Sequence, residues 1–368
     1  MKRIYTCTPY SFHANEQFFS RDSGLICMQL RALGAESMSV MPLPFHDDDV
    51  RKEDVIRVSP EQLEDASWWQ EQHLDGLVLY NWASPHYLKV AKAVRAAGIF
   101  TVMHFDAAGP ELDIQKASLS WPLRMWAHLK NIPVNLLRAA NMRCADVITT
   151  SPLVQKKLAA HPLFGPEIAQ KCFPMPAPVD PLFAYDGTEK EELVIFAGRW
   201  DDELHKRPQM MMQTLEALYT NEQPARVEIY GPCTESLQRW HASLPSSVRS
   251  RISLCGAIPH ECMAHVFNRA RVCVCTSVSE GCHIASCEAL CCGCSVVVPR
   301  RPVFLDVVMW YAEQCGRVAA ADTPASLAFA LTEELSAWRE GKRNPASSAA
   351  RWQPIFHIDT ILKQIFNL

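Results

Sequence analysis

The sequence has no long hydrophobic run, no apolar N-terminal core, no excess of positive charge and no short-period repeat. A bilayer-spanning helix needs about 18 apolar residues in succession, and no stretch of the chain supplies them. The opening residues, Met1-Lys2-Arg3-Ile4-Tyr5, meet polar side chains at once and lack the centre of a secretory signal. A cytoplasmic location is therefore expected. A net charge of -4 and a pI near 6.4 exclude a general attraction to nucleic acid. Zinc spacing is also missing, because no CxxC pair is followed by a second CxxC or an HxxxH at a workable distance. The fifteen cysteines are thus expected to be reduced, small and apolar. Their densest group, Cys282, Cys287, Cys291, Cys292 and Cys294, lies in an apolar helix-like stretch and reads as core.

What is present is the composition of a globular protein, 48% hydrophobic and 21% charged. At roughly 100–200 residues per domain, the length suggests two. Short apolar runs alternate with longer amphipathic ones, the pattern of parallel βαβ units. In the first half the strands are expected at 4–8, 37–43, 76–80, 99–103 and 145–150, with helices at 25–33, 87–97 and about 118–144. Proline clusters between 163 and 181 (Pro166, Pro174, Pro176, Pro178, Pro181), which reads as a linker. The second half repeats the alternation, with strands at 193–197, 226–230, 251–255, 272–276 and 295–298 and helices at 208–219, 261–268, 283–292 and 322–338. Apolar spacing over 354–368 predicts one amphipathic closing helix. The expected domains are 1–182, joined by the C-terminal helix at about 352–368, and 183–351.

The strongest chemical signal is Ser279-Glu280-Gly281-Cys282-His283-Ile284-Ala285-Ser286-Cys287-Glu288, after an apolar strand and opening a helix. Such a turn presents backbone N–H groups and a positive dipole end, a phosphate site. Glu280 sits on the turn, and Glu288 follows about two helical turns later on a similar side. Open α/β sheets bind ligands at the carboxyl ends of their strands. One acid can then face a sugar and the other a ribose diol; the alternative is two solvated helix-end charges. A second group, Gly198-Arg199 followed by His205-Lys206-Arg207-Pro208, is either a phosphate clamp or a solvated loop cluster. A third, Val102-Met103-His104-Phe105-Asp106, places a histidine at a strand end, where it is either functional or a satisfied core residue.

These motifs resemble those of the retaining GT-B glycosyltransferases, the group 1 family with a Glu-x7-Glu signature. The matching residues are Ser277, Glu280, Gly281, Glu288, Ala289, Gly293, Val296 and Val297, with His283 where the family usually has glycine. Gly198-Arg199 and Lys206 resemble the family's Gly-Arg…Lys-Gly segment, with Arg207 in place of its glycine. The resemblance implies an α/β GT-B fold, two Rossmann-like domains facing across a cleft, with 1–182 the acceptor domain and 183–351 the nucleotide-sugar donor domain. It also implies transfer of a sugar from a nucleotide-diphosphate sugar to an acceptor hydroxyl, with retention. In that picture Glu280 lies beside the donor sugar, and Glu288 holds the ribose. The backbone of Gly281, Cys282, His283 and Ile284 meets the diphosphate, while Arg199 and Lys206 neutralise it. His104 reaches the sugar from the first domain, Asp106 orients it or binds acceptor, and Ser23-Gly24 corresponds to an N-terminal small-residue loop. No cofactor and no metal are expected. The acceptor class (glycan, lipid-linked sugar, protein or small molecule) stays open.

Two competing features remain. Asp47-Asp48-Asp49 has the look of a metal-binding acidic motif, but it follows Pro42 and Pro44 and is expected to be a solvated loop. Trp121, Arg124, Trp126, His128, Lys130 and Arg138 share a helical stretch with leucine and methionine. They are expected to be mostly core, with a membrane-surface or lipid-acceptor helix as the alternative, so peripheral membrane contact joins the candidate partners. The rival functions are a nucleotide-sugar epimerase or hydrolase on the same fold, and a catalytically silent nucleotide-binding module.

Overall fold

A computed structural model describes residues 1–80, 84–104, 121–220, 225–302 and 304–368. The chain forms two compact units, Met1–Asp180 with Ile355–Leu368, and Pro181–Pro354.

Among the described residues the first unit holds seven strands: β1 (Ile4–Cys7), β2 (Ser39–Pro42), β3 (Val55–Val58), β4 (Gly76–Tyr80), β5 (Thr101–His104), β6 (Val147–Thr150) and β7 (Cys172–Pro174). Their order is β3-β2-β1-β4-β5-β6-β7, and every pairing is parallel. Parallel sheets covered on both faces carry continuous apolar strands rather than alternating ones. Gly-Leu-Val-Leu-Tyr of β4 is accordingly buried throughout. β3 and β7 were not expected. The proline-rich stretch around 163–181, read as a linker, contains the helix Gly165–Gln170 as well as β7. Pro174 is tolerated because β7 is an edge strand, where a missing N–H breaks no ladder.

The single closing helix expected over 354–368 is two helices, Pro345–Phe356 and Ile358–Phe366. Between them His357 is extended and bridges to Val179, whose N–H donates to the Phe356 carbonyl. Ile358, Ile361, Leu362 and Phe366 then pack with Ile4, Leu25, Ile26 and Leu30. That apolar face returns the end of the chain to the first unit.

The second unit holds β8 (Glu191–Ala197), β9 (Arg226–Tyr230), β10 (Ile252–Gly256), β11 (Ala270–Val274), β12 (Ser295–Val298) and β13 (Gly316–Val318). The order is β10-β9-β8-β11-β12-β13, again all parallel. This is the doubly wound Rossmann order, in which the chain reverses direction of growth between the first and fourth strands. All fifteen cysteines are free. Cys287, Cys291, Cys292 and Cys294 are fully buried around the helix Ile284–Cys291, so the core reading holds for them; Cys282 is only part-buried. Burial pushes the buried thiols up, away from the thiolate.

The helix Trp121–Cys144 departs from the core expectation. Trp121 is 75% exposed and Trp126 60% exposed. Met125, Leu129, Ile132 and Leu136 are exposed as well, while Arg138 is buried.

Candidate functional site

The growth reversal in the second unit lies between β8 and β11, the place where open α/β sheets bind ligands beyond their carboxyl ends. The segments leaving these two strands are tied together. Val278 N–H donates to the His205 carbonyl at 2.8 Å, and Thr276 Oγ1 donates to the Lys206 carbonyl at 2.8 Å. His205 Nε2–H donates to the Ser279 carbonyl at 2.6 Å. Gly231, at the end of β9, has φ +125°, and a Cβ there would sit 1.9 Å from the Gly198 oxygen. Only glycine lets the turn after β8 come so close.

This framework sets Lys206 Nζ 2.5 Å from Glu280 Oε1, with the two side chains only 15% and 11% exposed. Ser277 Oγ donates to the same oxygen at 2.5 Å. Burial alone would push the Glu280 carboxyl up; His283 where it is protonated, the charge of Lys206 and the bonds from Lys206 and Ser277 outweigh it and hold the carboxyl below its ordinary range. Burial pushes His283 down to about 4, so near neutral pH the standing cation beside Glu280 is Lys206. His283 Nδ1 meets Ser286 Oγ at 2.6 Å.

Both residues that replace family glycines adopt left-handed backbone. Arg207 has φ +56° and His283 φ +54°. Glycine takes such angles without steric cost, which is the physical content of the family pattern at these two places. Arg207 is held there by an ion pair to Asp322 at 2.8 Å, and Arg301 binds the other oxygen of Asp322. His283 stands just before the helix Ile284–Cys291, which begins with no side-chain cap. The Ser286 and Cys287 N–H groups donate to the His283 carbonyl at 2.9 and 3.3 Å, so it is the Ile284 and Ala285 end of the helix, with the positive end of its dipole, that suits an outside acceptor.

The remaining expected residues divide. Arg199 lies in the same turn as Lys206, but its guanidinium is 64% exposed and pairs with Asp202 at 3.1 Å. Glu288 is buried, and its Oε1 lies 2.6 Å from His260 Nε2. His260 sits in the segment after β10, with its ring 4.9 Å from that of Phe183. The sequence reading missed His260. Its signal was available, since a polar residue just past a strand's carboxyl end belongs to the set that faces a ligand.

In the first unit His104 is the last residue of β5, buried, with Nδ1 2.8 Å from Thr149 Oγ1 and its ring 4.9 Å from that of Tyr80. Asp106 lies outside the described residues. Ser23 and Gly24, expected in a loop, lie in the first turn of the helix Asp22–Ala32. A Cβ on Gly24 would sit 2.3 Å from the Phe18 oxygen, so close packing already requires glycine there. Ser23 Oγ meets Thr8 Oγ1 at 2.7 Å, just beyond β1. The acidic triplet is only partly the solvated loop expected. Asp49 is buried against Arg57, which the charge pattern alone did not reveal. Among the described residues no group of three or more His, Cys, Asp or Glu side chains is arranged to hold a metal ion. No helix among them is long and apolar enough to cross a membrane.

Residues 191–336 match the sequence profile of the family Glycosyl transferases group 1. No curated protein matches the chain at a significant level. Among solved structures, sucrose-phosphate synthase of Thermosynechococcus elongatus is similar with a TM-score of 0.61 at 15% identity, covering 100% of this chain and 98% of its own. Alr3699/HepE of Anabaena, solved in complex with UDP, gives a TM-score of 0.63 at 13% identity over 99% and 98%. A putative UDP-N-acetylglucosamine 2-epimerase of Listeria monocytogenes gives 0.57 at 10% identity over 100% and 98%. Likeness at such identities shows the fold, and it is the GT-B class of the sequence reading, α/β with two Rossmann-like units.

Proposed function

We propose, from a chain whose residues 191–336 match the profile of the group 1 glycosyl transferases, that it moves a sugar from a nucleotide-diphosphate sugar to an acceptor hydroxyl with retention of configuration. The observation that carries this reading is the Lys206–Glu280 pair beside an uncapped helix start, at the growth reversal of a Rossmann-order sheet. A cation, a carboxylate held ionised and the positive end of a helix without a side-chain cap suit a leaving diphosphate and the sugar attached to it. The bond from the anomeric carbon to the phosphate oxygen breaks, and its electron pair stays on the diphosphate. The acceptor oxygen bonds to the same carbon on the same face, and its proton passes to the leaving phosphate oxygen. Lys206 and the helix start take up the charge that develops. Arg199, free to swing from Asp202, adds a two-pronged contact. Glu280 orients the donor sugar and Glu288 accepts from the ribose, while the family resemblance assigns His104 a role toward the sugar. With these charges the step calls for no metal, and the setting is cytoplasmic.

HepE is described in complex with UDP and with UDP and glucose, which supports UDP as the first nucleotide to test. The purified chain is screened by thermal shift against UDP, GDP, ADP and TDP, with and without EDTA. A ligand that binds only the folded state raises its apparent stability. Stabilisation by one nucleotide, unchanged by EDTA and lost in Glu288→Ala, supports the donor site and identifies the base. If none of the four stabilises the chain, the placement of the nucleotide site is refuted; stabilisation without any turnover would favour the silent nucleotide-binding module. Release of free or epimerised sugar without transfer would favour the epimerase or hydrolase reading, to which the Listeria fold likeness is neutral.

Peripheral contact with a membrane is the second part of this reading. Trp121, Met125, Leu129, Ile132 and Leu136 recur at helical spacing and are exposed, and Lys130 Nζ lies 5.0 Å from the Trp126 ring centroid. The helix Trp121–Cys144 contains no acidic residue and four arginines and lysines. A basic, tryptophan-bearing apolar face suits an anionic lipid surface.

A further inference from the structure

A buried carboxylate needs hydrogen-bond donors at both of its oxygens. Glu334 and Asp49 meet that need away from the candidate site. Arg343 donates to Glu334 Oε1 at 2.7 Å and to Oε2 at 2.6 Å. Asp49 Oδ1 accepts from the Ala14 N–H at 2.7 Å, and Oδ2 accepts from the His46 N–H and from Arg57 at 3.0 and 2.7 Å. Glu288 meets it by half. Its side chain is 7% exposed, and Oε1 lies 2.6 Å from His260 Nε2. Among the described residues none donates to Oε2. An acceptor kept from water without a donor costs stability unless an outside group supplies the hydrogen.

The donor at Oε1 is itself fixed by packing. His260 stands just before the helix Cys262–Arg269, and its carbonyl accepts from the Met263 N–H at 3.0 Å. Its ring lies 4.9 Å from that of Phe183, which is fully buried and 6.3 Å from the Phe267 ring of that helix. Three bonds hold the segment that carries Phe183. Asn268 Nδ2 donates to the Ala184 carbonyl at 2.9 Å, Asn268 Oδ1 accepts from the Asp186 N–H at 3.1 Å, and the Tyr185 N–H donates to the Cys291 carbonyl at 3.1 Å. Every one of these residues belongs to the second unit. A carboxylate only accepts, so Nε2 carries the proton of the contact with Glu288. The rotation of the Glu288 carboxyl group is thereby set before any ligand arrives, and such preordering favours binding.

We infer that His260 is a positioning residue of the donor site, and that through Glu288 it makes the site select a ribonucleotide over a deoxyribonucleotide; the inference rests on the reading under Proposed function. By occupying Oε1, His260 leaves Oε2 to the ligand, where a ribose hydroxyl supplies the missing hydrogen. A nucleotide without this hydroxyl leaves Oε2 buried and unpaired. A site built around one hydroxyl rejects the analogue that lacks it for that reason. A purely structural contact between His260 and the helix Ile284–Cys291 has a different consequence, because its loss would weaken ribo- and deoxyribonucleotides alike.

The test is isothermal titration calorimetry on the full chain. UDP, GDP, ADP and TDP are each titrated as the ribonucleotide and as the 2′-deoxy and 3′-deoxy forms. The parent is expected to bind one ribonucleotide at least about tenfold tighter than one of its deoxy forms. His260→Phe keeps a ring against Phe183 but no donor, and should bring that ratio below about threefold. His260→Gln keeps a donor and should hold the ratio within about threefold of the parent's. Melting temperatures without ligand establish that the variants fold, and His260→Leu is the second donor-free variant if His260→Phe does not. The inference is overturned if the parent binds both forms alike, if the donor-free variant keeps the parent's ratio, or if His260→Gln loses as much of it as His260→Phe. When one of the last two results comes with a ratio abolished by Glu288→Ala, the ribose role of Glu288 and the donor reading stand without His260. A parent ratio that survives Glu288→Ala, or the absence of any nucleotide binding, refutes the donor placement and this inference together.

Discussion

Replacing Lys206 by alanine isolates the electrostatic core of the candidate site. At 2.5 Å and an effective dielectric constant of 20, the gross attraction of the pair is about 7 kcal/mol. Most of it is offset by the cost of removing both charges from water. Breaking such a pair by deleting one partner still costs roughly 3 kcal/mol, because the other charge stays buried. For a unit of this size that corresponds to a melting temperature lower by about 6–12 °C. The pH dependence is the sharper signature. In the parent, the lowered Glu280 pKa contributes stability that is present above the ordinary carboxylate range and lost as pH falls through the folded value. In Lys206→Ala, above the range where His283 is protonated, only the Ser277 bond still opposes burial, and the Glu280 pKa is expected to rise. The variant then loses stability as pH climbs through that raised value. The deficit relative to the parent should therefore be larger at pH 8 than at pH 5. Adding Glu280→Gln removes the stranded charge and should recover part of the loss. Differential scanning fluorimetry across pH 5–8 on the parent, the single and the double variant is sufficient. A deficit that does not change with pH, or a double variant less stable than Lys206→Ala, refutes the coupling described. Transfer activity, once a donor is known, should drop by roughly 10²–10³ through lost leaving-group stabilisation.

At the left-handed position 207, Arg207→Gly and Arg207→Ala both lose the Asp322 pair, but only alanine keeps the backbone strain. Glycine should be the more stable by about 1 kcal/mol in matched thermal melts. His283 binds no proton when folded until pH falls to about 4, whereas the unfolded chain binds one near pH 6.5, so acidification favours unfolding. Stability should fall by up to roughly 1.4 kcal/mol per pH unit between these limits, and His283→Gln should remove that part of the slope. Sedimentation with phosphatidylglycerol vesicles should retain the parent and release Trp121→Ser/Trp126→Ser, with binding weakened by salt; equal retention of the variant would exclude the exposed helix face as the contact.

Much of the architecture was legible because it is written in short windows. The apolar runs at 76–80, 193–197 and 295–298 are strands in the structure, and Gly281 to Glu288 lies at a helix start. Short edge strands were not legible. β7 and β13 are three residues each, and pairing with a neighbour creates them rather than any period of their own. The exposed face of Trp121–Cys144 was misjudged for a related reason: helical spacing reveals that an apolar stripe exists, not what covers it.

The sequence by itself determined two α/β units of parallel strands and the place of the acids and cations along the chain, because backbone periodicity and turn chemistry act over a few residues. Only the tertiary structure decided which groups meet. Lys206 reaches Glu280 across 74 positions because β8 lies beside β11, and His260 reaches Glu288 because the segment after β10 comes against the helix Ile284–Cys291. Arg57 and Asp49 are closer in sequence, yet their burial depends on the loops that close over them. Ionisation follows burial and partners, and both are properties of the packed chain.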